Sequence, residues 1–179
     1  MKSKNIILDR DGVINTDSED FIKSPNEWVE IKDSIESIVS LQRNGWNISI
    51  ATNQSGIGRG LFDLETLNNI HAKMIALIRE KGGEIPKIKF CPHIPTDNCN
   101  CRKPKPGMYL EIANELNISL SDTIVVGDSL RDLEAAKIVG AQPNLVLTGK
   151  GEKTLQNCCL PAGTKIYRNL SDFTKNLLL

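Results

Sequence analysis

Short runs rich in β-branched residues alternate with amphipathic helical periods along most of the chain, and three of these runs end in polar residues capable of chemistry. Strands are expected over 5–8, 46–51, 87–90, 123–126 and 144–147. Helices are expected over 33–44, 64–81 and 107–116, and from Asp128 to near Gly140. The run Thr123-Ile124-Val125-Val126 has no polar alternation, as in a strand buried on both faces, which calls for a parallel sheet covered by helices. The expected fold class is therefore α/β: a Rossmann-like three-layer sandwich with a mostly parallel sheet. At 179 residues the chain suits one domain spanning 1–179. Asp33, with Glu36 three residues on, reads as the N-cap of the first helix, and Gly45 as its stop. From Gly149 the pattern is less periodic, with an edge strand at 165–167 and a last amphipathic turn or two from Ser171.

The chain carries 22 Lys+Arg against 22 Asp+Glu, so it has no basic field for long nucleic acid or an anionic membrane surface. Phosphate recognition must come from a few placed residues. The longest apolar runs, 6–8 and 177–179, are far too short to span a bilayer, and the start Met1-Lys2-Ser3-Lys4 shows no apolar signal region. The expectation is an unexported protein with no nucleic-acid or membrane partner. Five cysteines are an odd number. Three of them lie between Cys91 and Cys101 beside a histidine, which favours metal ligation in a reducing compartment, hence the cytoplasm.

In a parallel sheet of this type, ligands sit at the carboxyl ends of the strands, near the point where strand order reverses. Asp9-Arg10-Asp11-Gly12, Thr52-Asn53-Gln54 and Gly127-Asp128 each follow an expected strand and would converge on one crevice. Asp9 and Asp11 leave the first strand two residues apart, so an extended start points both carboxylates the same way. Such a pair needs neutralising. A hard cation such as Mg²⁺ would do this, with Asp128 as a third carboxylate. One aspartate can then attack phosphorus while the other protonates the leaving oxygen and later activates water. Thr52 and Lys103 are placed to hold the transferring phosphoryl group.

Cys91-x-His93-x5-Cys99-x-Cys101 supplies three thiolates and one imidazole within eleven residues, the ligand count of a closed tetrahedral Zn²⁺ site. With no open position such a zinc is structural. It would order a zinc-binding loop at about 91–105 that is too rich in Pro, Cys and Asn for regular structure, and so place Arg102 and Lys103.

From Asp9 to about Gly140 the chain resembles the haloacid dehalogenase-like phosphatases. Within them, Asp9-Arg10-Asp11-Gly12-Val13-Ile14-Asn15, the stretch from Thr52 to Gly60, Cys101-Arg102-Lys103-Pro104 and Val126-Gly127-Asp128 resemble the D-glycero-D-manno-heptose 1,7-bisphosphate 7-phosphatase family. The resemblance implies Asp9 as phosphorylated nucleophile, Asp11 as acid/base, Thr52 and Lys103 as phosphoryl stabilisers, and Arg102 as a substrate-recognition residue. It places Mg²⁺ on Asp9, Asp128 and the backbone or side chain of Asp11, and it includes a similar zinc loop. A small phosphorylated sugar is the implied substrate, with contacts expected from Asp17, Asn53, Gln54, Ser55, Arg59, Arg102, Lys103 and Ser129. The sequence departs from the superfamily at Val13, where Thr is frequent, and from familiar relatives at 18–21. Histidinol-phosphatases share the aspartates and zinc spacing, and nucleic-acid 3′-phosphatases share much of 52–60, but the former are expected to differ after Gln54 and the latter to lack the zinc ligands.

Only 40 residues separate Asp11 from Thr52 and 50 separate Thr52 from Lys103, which leaves no room for a large cap domain, so an open crevice is expected. His71 reads as a boundary packing residue, Trp28 and Trp46 as packing residues, and Cys158-Cys159 as unpaired thiols. A monomer is expected, since no partner-binding stripe stands out.

Overall fold

The structure, a computed structural model, describes residues 4–179, and Met1 to Ser3 lie outside the described residues. Its strands are β1 (Lys4–Leu8), β2 (Trp46–Asn53), β3 (Lys87–Cys91), β4 (Thr123–Gly127), β5 (Gln142–Val146) and β6 (Lys165–Tyr167). They form one sheet in the order β3-β2-β1-β4-β5-β6, with every neighbouring pair parallel. The helices are α1 (Ser34–Arg43), α2 (Leu64–Glu80), α3 (Gly107–Leu116), α4 (Leu130–Ile138), α5 (Gly151–Asn157) and α6 (Leu170–Leu178).

The period-2 alternation of the strands divides the core between two helical layers. Ile6 and Leu8 of β1, Ile48 and Ile50 of β2 and Val126 of β4 pack with α1, α2 and α6 through Ile38, Met74 and Phe173. Ile7, Ala51 and Val125 point the other way, onto Tyr109 and Ile112 of α3 and Ala135 of α4. Truncating a fully buried residue such as Ile38 to Ala would cost about 2–5 kcal/mol.

Strand order reverses between β1 and β4, which opens a crevice at their carboxyl ends. Leu8 is in register with Val126, so Asp9 and Asp128 emerge on adjacent strands. Between β1 and β3 the elements are α1, β2 and α2, and no cap layer is inserted. Among the described residues no helix is long and apolar enough to cross a membrane.

Two details differ from the sequence reading. Asp33 precedes α1 but lies in the left-handed region (φ 64°) and makes no side-chain cap. The incoming loop is instead tied by Ile31 N–H to Ile14 O (2.8 Å) and by Ser34 Oγ to Ile14 O (2.7 Å), which fixes Asp33 outside capping geometry. The tail is also more regular than its weak periodicity suggests, because α5 begins at Gly151, only two residues after Gly149.

Candidate active site

Asp9, Thr52, Lys103 and Asp128 line one cavity of about 350 Å³ at the carboxyl edge of the sheet. Lys103 lies at its floor, 2% exposed. Its ammonium is 2.5 Å from Asp132, 3.1 Å from Asp9 and 2.8 Å from the Ala51 carbonyl. Burial works against this charge, but Asp132 and Asp9 outweigh it and raise the Lys103 pKa, so the cation is permanent. Burial is also the main influence on Asp9, and with the nearby carboxylates it outweighs Lys103 and pushes Asp9 up to about 6. Asp128 is raised as well, by burial and then by Asp132 and Asp9. Carboxylate oxygens of Asp9, Asp128 and Asp132 come within 4.8 Å of one another. Such crowding of anions is what a hard cation relieves, and the all-oxygen donors suit Mg²⁺.

Two glycines let the chain close around Asp128. Gly12 (φ 82°) and Gly149 (φ 57°) both approach it so closely that a Cβ at either would overlap its carboxylate. The Lys150 N–H donates to Asp128 Oδ2 (2.7 Å), and the Lys150 ammonium pairs with Asp17 (2.6 Å).

Asp11 faces a different set of partners. Its carboxylate takes three contacts from Arg10 (2.9–3.1 Å), one from Asn15 Nδ2 (2.8 Å) and one from Gln54 Nε2 (2.8 Å). Burial raises its pKa, but Arg10 and these hydrogen bonds reverse that and leave it lowered. Gln54 Nε2 also donates to Thr52 Oγ1 (2.9 Å), which leaves the Thr52 hydroxyl proton for a ligand. The side chain of Asp11 is thus oriented by Arg10, Asn15 and Gln54.

A second group of candidate metal ligands is soft. The Cys91, Cys99 and Cys101 sulfurs lie 3.1–3.6 Å apart, and His93 Nδ1 is 3.3 Å from Cys101 and 3.5 Å from Cys91. Zn–S and Zn–N bonds give ligand separations of about 3.5–3.8 Å in a tetrahedron, so this set fits zinc with slight expansion. The loop is anchored by Gln54 N–H to Cys91 O (2.7 Å) and Gly58 N–H to Pro92 O (3.0 Å), where a Cβ on Gly58 would overlap the same carbonyl. Beyond it, Asn53 clamps the Lys103 backbone by paired amide bonds of 3.1 Å each.

A HAD-hydrolase-like family model matches residues 100–173. The D-glycero-beta-D-manno-heptose-1,7-bisphosphate 7-phosphatase of Neisseria meningitidis serogroup A is 51% identical over 98% of this chain and 95% of its own length. The enzyme of the same name from Pseudomonas aeruginosa is 51% identical over 99% of both chains. The chain belongs to the D-glycero-D-manno-heptose 1,7-bisphosphate 7-phosphatase family. A solved heptose phosphatase, the D,D-heptose 1,7-bisphosphate phosphatase of B. bronchiseptica in complex with magnesium and phosphate, superposes with a TM-score of 0.95 at 50% identity over 98% of each chain.

In this member of the heptose phosphatase family the cavity is also lined by Asp17, Asn53, Gln54, Ser55, Arg59, Arg102 and Ser129. Asn53 and Ser129 have protein partners for their side chains: Asn53 the Lys103 backbone, and Ser129 Oγ the Asp132 carboxylate at 2.7 Å. Trp28 is 1% exposed in the core, away from the cavity. The sequence reading missed Asp132 and Arg131. The Ser129-x-x-Asp132 spacing of a capping box was a readable signal for Asp132, and the structure forms that box at the start of α4. Arg131 had no such signal. It lines the cavity with Arg102 and Arg59, and burial, then Arg131, and to a smaller degree Arg59 lower the Arg102 pKa. The Arg59 guanidinium rests 5.8 Å from the Phe21 ring.

Proposed function

We propose that the protein is a Mg²⁺-dependent phosphatase that removes the 7-phosphate of D-glycero-D-manno-heptose 1,7-bisphosphate through an aspartyl-phosphate on Asp9. The observation that carries this reading is the convergence of Asp9, Thr52, Lys103 and Asp128 on one cavity, in a fold that superposes on the B. bronchiseptica phosphatase complex. An Asp9 carboxylate oxygen attacks phosphorus, the bond from phosphorus to the sugar oxygen breaks, and Asp11 protonates that oxygen. Asp11 then takes a proton from water as it attacks the aspartyl-phosphate, which frees inorganic phosphate and restores Asp9. Lys103 and the Thr52 hydroxyl hold the phosphoryl oxygens throughout.

Mg²⁺ held by Asp9, Asp128 and the Asp11 carbonyl supplies the charge that ionises Asp9 and screens it from the incoming phosphate. The phosphate dianion in turn raises the neighbouring Asp11 and favours its acid form. The guanidiniums of Arg102, Arg131 and Arg59 suit the second phosphate of a bisphosphate. Cys91, His93, Cys99 and Cys101 would hold a structural zinc, whose bonds would order the loop that carries Arg102 and Lys103. The enzyme acts as a cytoplasmic monomer on a small molecule, and its product feeds nucleotide-activated heptose for lipopolysaccharide or other surface glycans.

The test is Mg²⁺-dependent phosphate release from this heptose bisphosphate, histidinol phosphate and a 3′-phosphorylated oligonucleotide, compared by kcat/KM. The heptose should lead by at least a hundredfold. A lead for either competitor would keep the chemistry and overturn the substrate.

A further inference from the structure

His71, on α2 and outside the catalytic cavity, is 7% exposed. Its Nε2 lies 3.2 Å from Arg10 Nη1. Arg10 is fully buried, and its Nε and Nη2 are the atoms that grip Asp11. The three residues form a line: imidazole, guanidinium, carboxylate.

A guanidinium has donors and no acceptor, so the nitrogen facing it must accept. His71 is therefore neutral, with its proton on Nδ1. Burial and the Arg10 charge both push its pKa down, to about 3, so this form persists at neutral pH. The cavity beside His71 is lined by Asn68, Ala72, Ile75, Ile85, Ile88 and Phe90, mostly apolar groups that bring no second charge to the imidazole.

We propose that His71 is a positioning residue for Asp11: its neutral Nε2 fixes the plane of the Arg10 guanidinium, and that plane fixes the Asp11 carboxyl toward the leaving oxygen. A long arginine held along one edge can swing about its own bonds. Held along two edges, it presents Asp11 in one orientation. The inference rests on the reading of Asp11 as the proton donor.

The test exploits leaving-group demand. Heptose bisphosphate needs a proton on a poor alkoxide leaving group, whereas 2,4-dinitrophenyl phosphate expels a phenolate that needs none. Misplacing the acid therefore separates the two substrates, while general damage lowers both alike. His71→Leu should lower kcat/KM for the heptose at least tenfold further than for the dinitrophenyl ester, through kcat with KM within twofold. His71→Gln, whose carbonyl oxygen can accept from Arg10, should recover the heptose rate to within threefold of wild type. Equal losses on both substrates, or no loss on either, would overturn the proposal. If His71→Leu does not fold, ¹⁵N spectra of the wild-type protein decide, since only His71 and His93 contribute. An Nε2–H tautomer at His71 would exclude the acceptor role, and the Nδ1–H tautomer is expected. Lack of heptose turnover by wild type would instead overturn the substrate reading, and the tautomer would then judge His71.

Discussion

Asp132→Asn tests the buried charge pair beneath the catalytic cavity. Asp132 and Lys103 have side chains 1% and 3% exposed and lie 2.5 Å apart, and the charge of Lys103 helps hold the Asp132 carboxyl below its usual range against the effect of burial. Asparagine keeps the volume and can still accept the Ser129 N–H, which donates at 3.0 Å. Its amide hydrogens would then face the ammonium. Removing one partner of a buried pair costs about 3–5 kcal/mol, and the lower end applies because Lys103 keeps Asp9 and the Ala51 carbonyl. For a chain of this size each kcal/mol moves Tm by about 2–4 °C, so a fall of about 6–12 °C is expected by calorimetry at pH 7. Without Asp132, Lys103 loses one of its three partners and is no longer fixed against the phosphoryl oxygens, and a shift of about 1 Å lowers kcat/KM by about a hundredfold. Unchanged Tm and unchanged turnover would refute the argument, because they would mean that Lys103 does not need its second carboxylate.

Asp9→Asn should abolish turnover and leave zinc content intact. Burial raises Asp9 to about 6 from 3.8, so in the metal-free protein its charge opposes folding above that pH, by about 3 kcal/mol, and the variant should melt no lower than wild type without Mg²⁺. Cys99→Ser should lower Tm and activity together by removing one of four zinc ligands, and a variant with full zinc content and wild-type Tm would exclude the structural role of that site. His71 is neutral in the fold down to about pH 3 but binds a proton near pH 6.5 when unfolded, so its contribution is lost as pH falls below 6.5. Wild type should lose about 2.5 kcal/mol more than His71→Gln between pH 7 and 4.5 in denaturant titrations. Parallel curves would mean that His71 is protonated in the folded protein.

What could be read from the sequence depended on how local its cause is. Asp9 and Asp128 follow β1 and β4 directly and Thr52 is the last residue but one of β2, and a parallel sheet delivers such strand ends to one edge, so the three could be placed together. The cluster of Cys91, His93, Cys99 and Cys101 was readable because a dense loop of thiols has few other uses. Asn53 shows where such reasoning stops. Its amide matches the Lys103 backbone across 50 residues of sequence, a pairing set by how the zinc loop lands on β2 and by no local pattern. The same holds for Asp33, whose cap was lost to a loop tied down by Ile14.

The placement of Lys103 joins these threads. An ammonium buried between two carboxylates would be costly if it had to find them by itself, since three side chains and a loop would all lose freedom. Here Asn53 fixes the Lys103 backbone, the loop before it is anchored through Cys91 O and Pro92 O, and the Ser129 box holds Asp132 in the first turn of α4. Each constraint is set by groups outside the reacting centre, so the ordering cost is met when the chain folds and not when substrate binds. The loop that carries the cysteine and histidine cluster is thereby tied to the catalytic cavity through Lys103. With zinc on that cluster, as proposed, its removal should lower kcat more than it raises KM, because the phosphoryl oxygens would lose Lys103 while Arg59 and Arg131, which line the cavity from outside the loop, remain for the second phosphate.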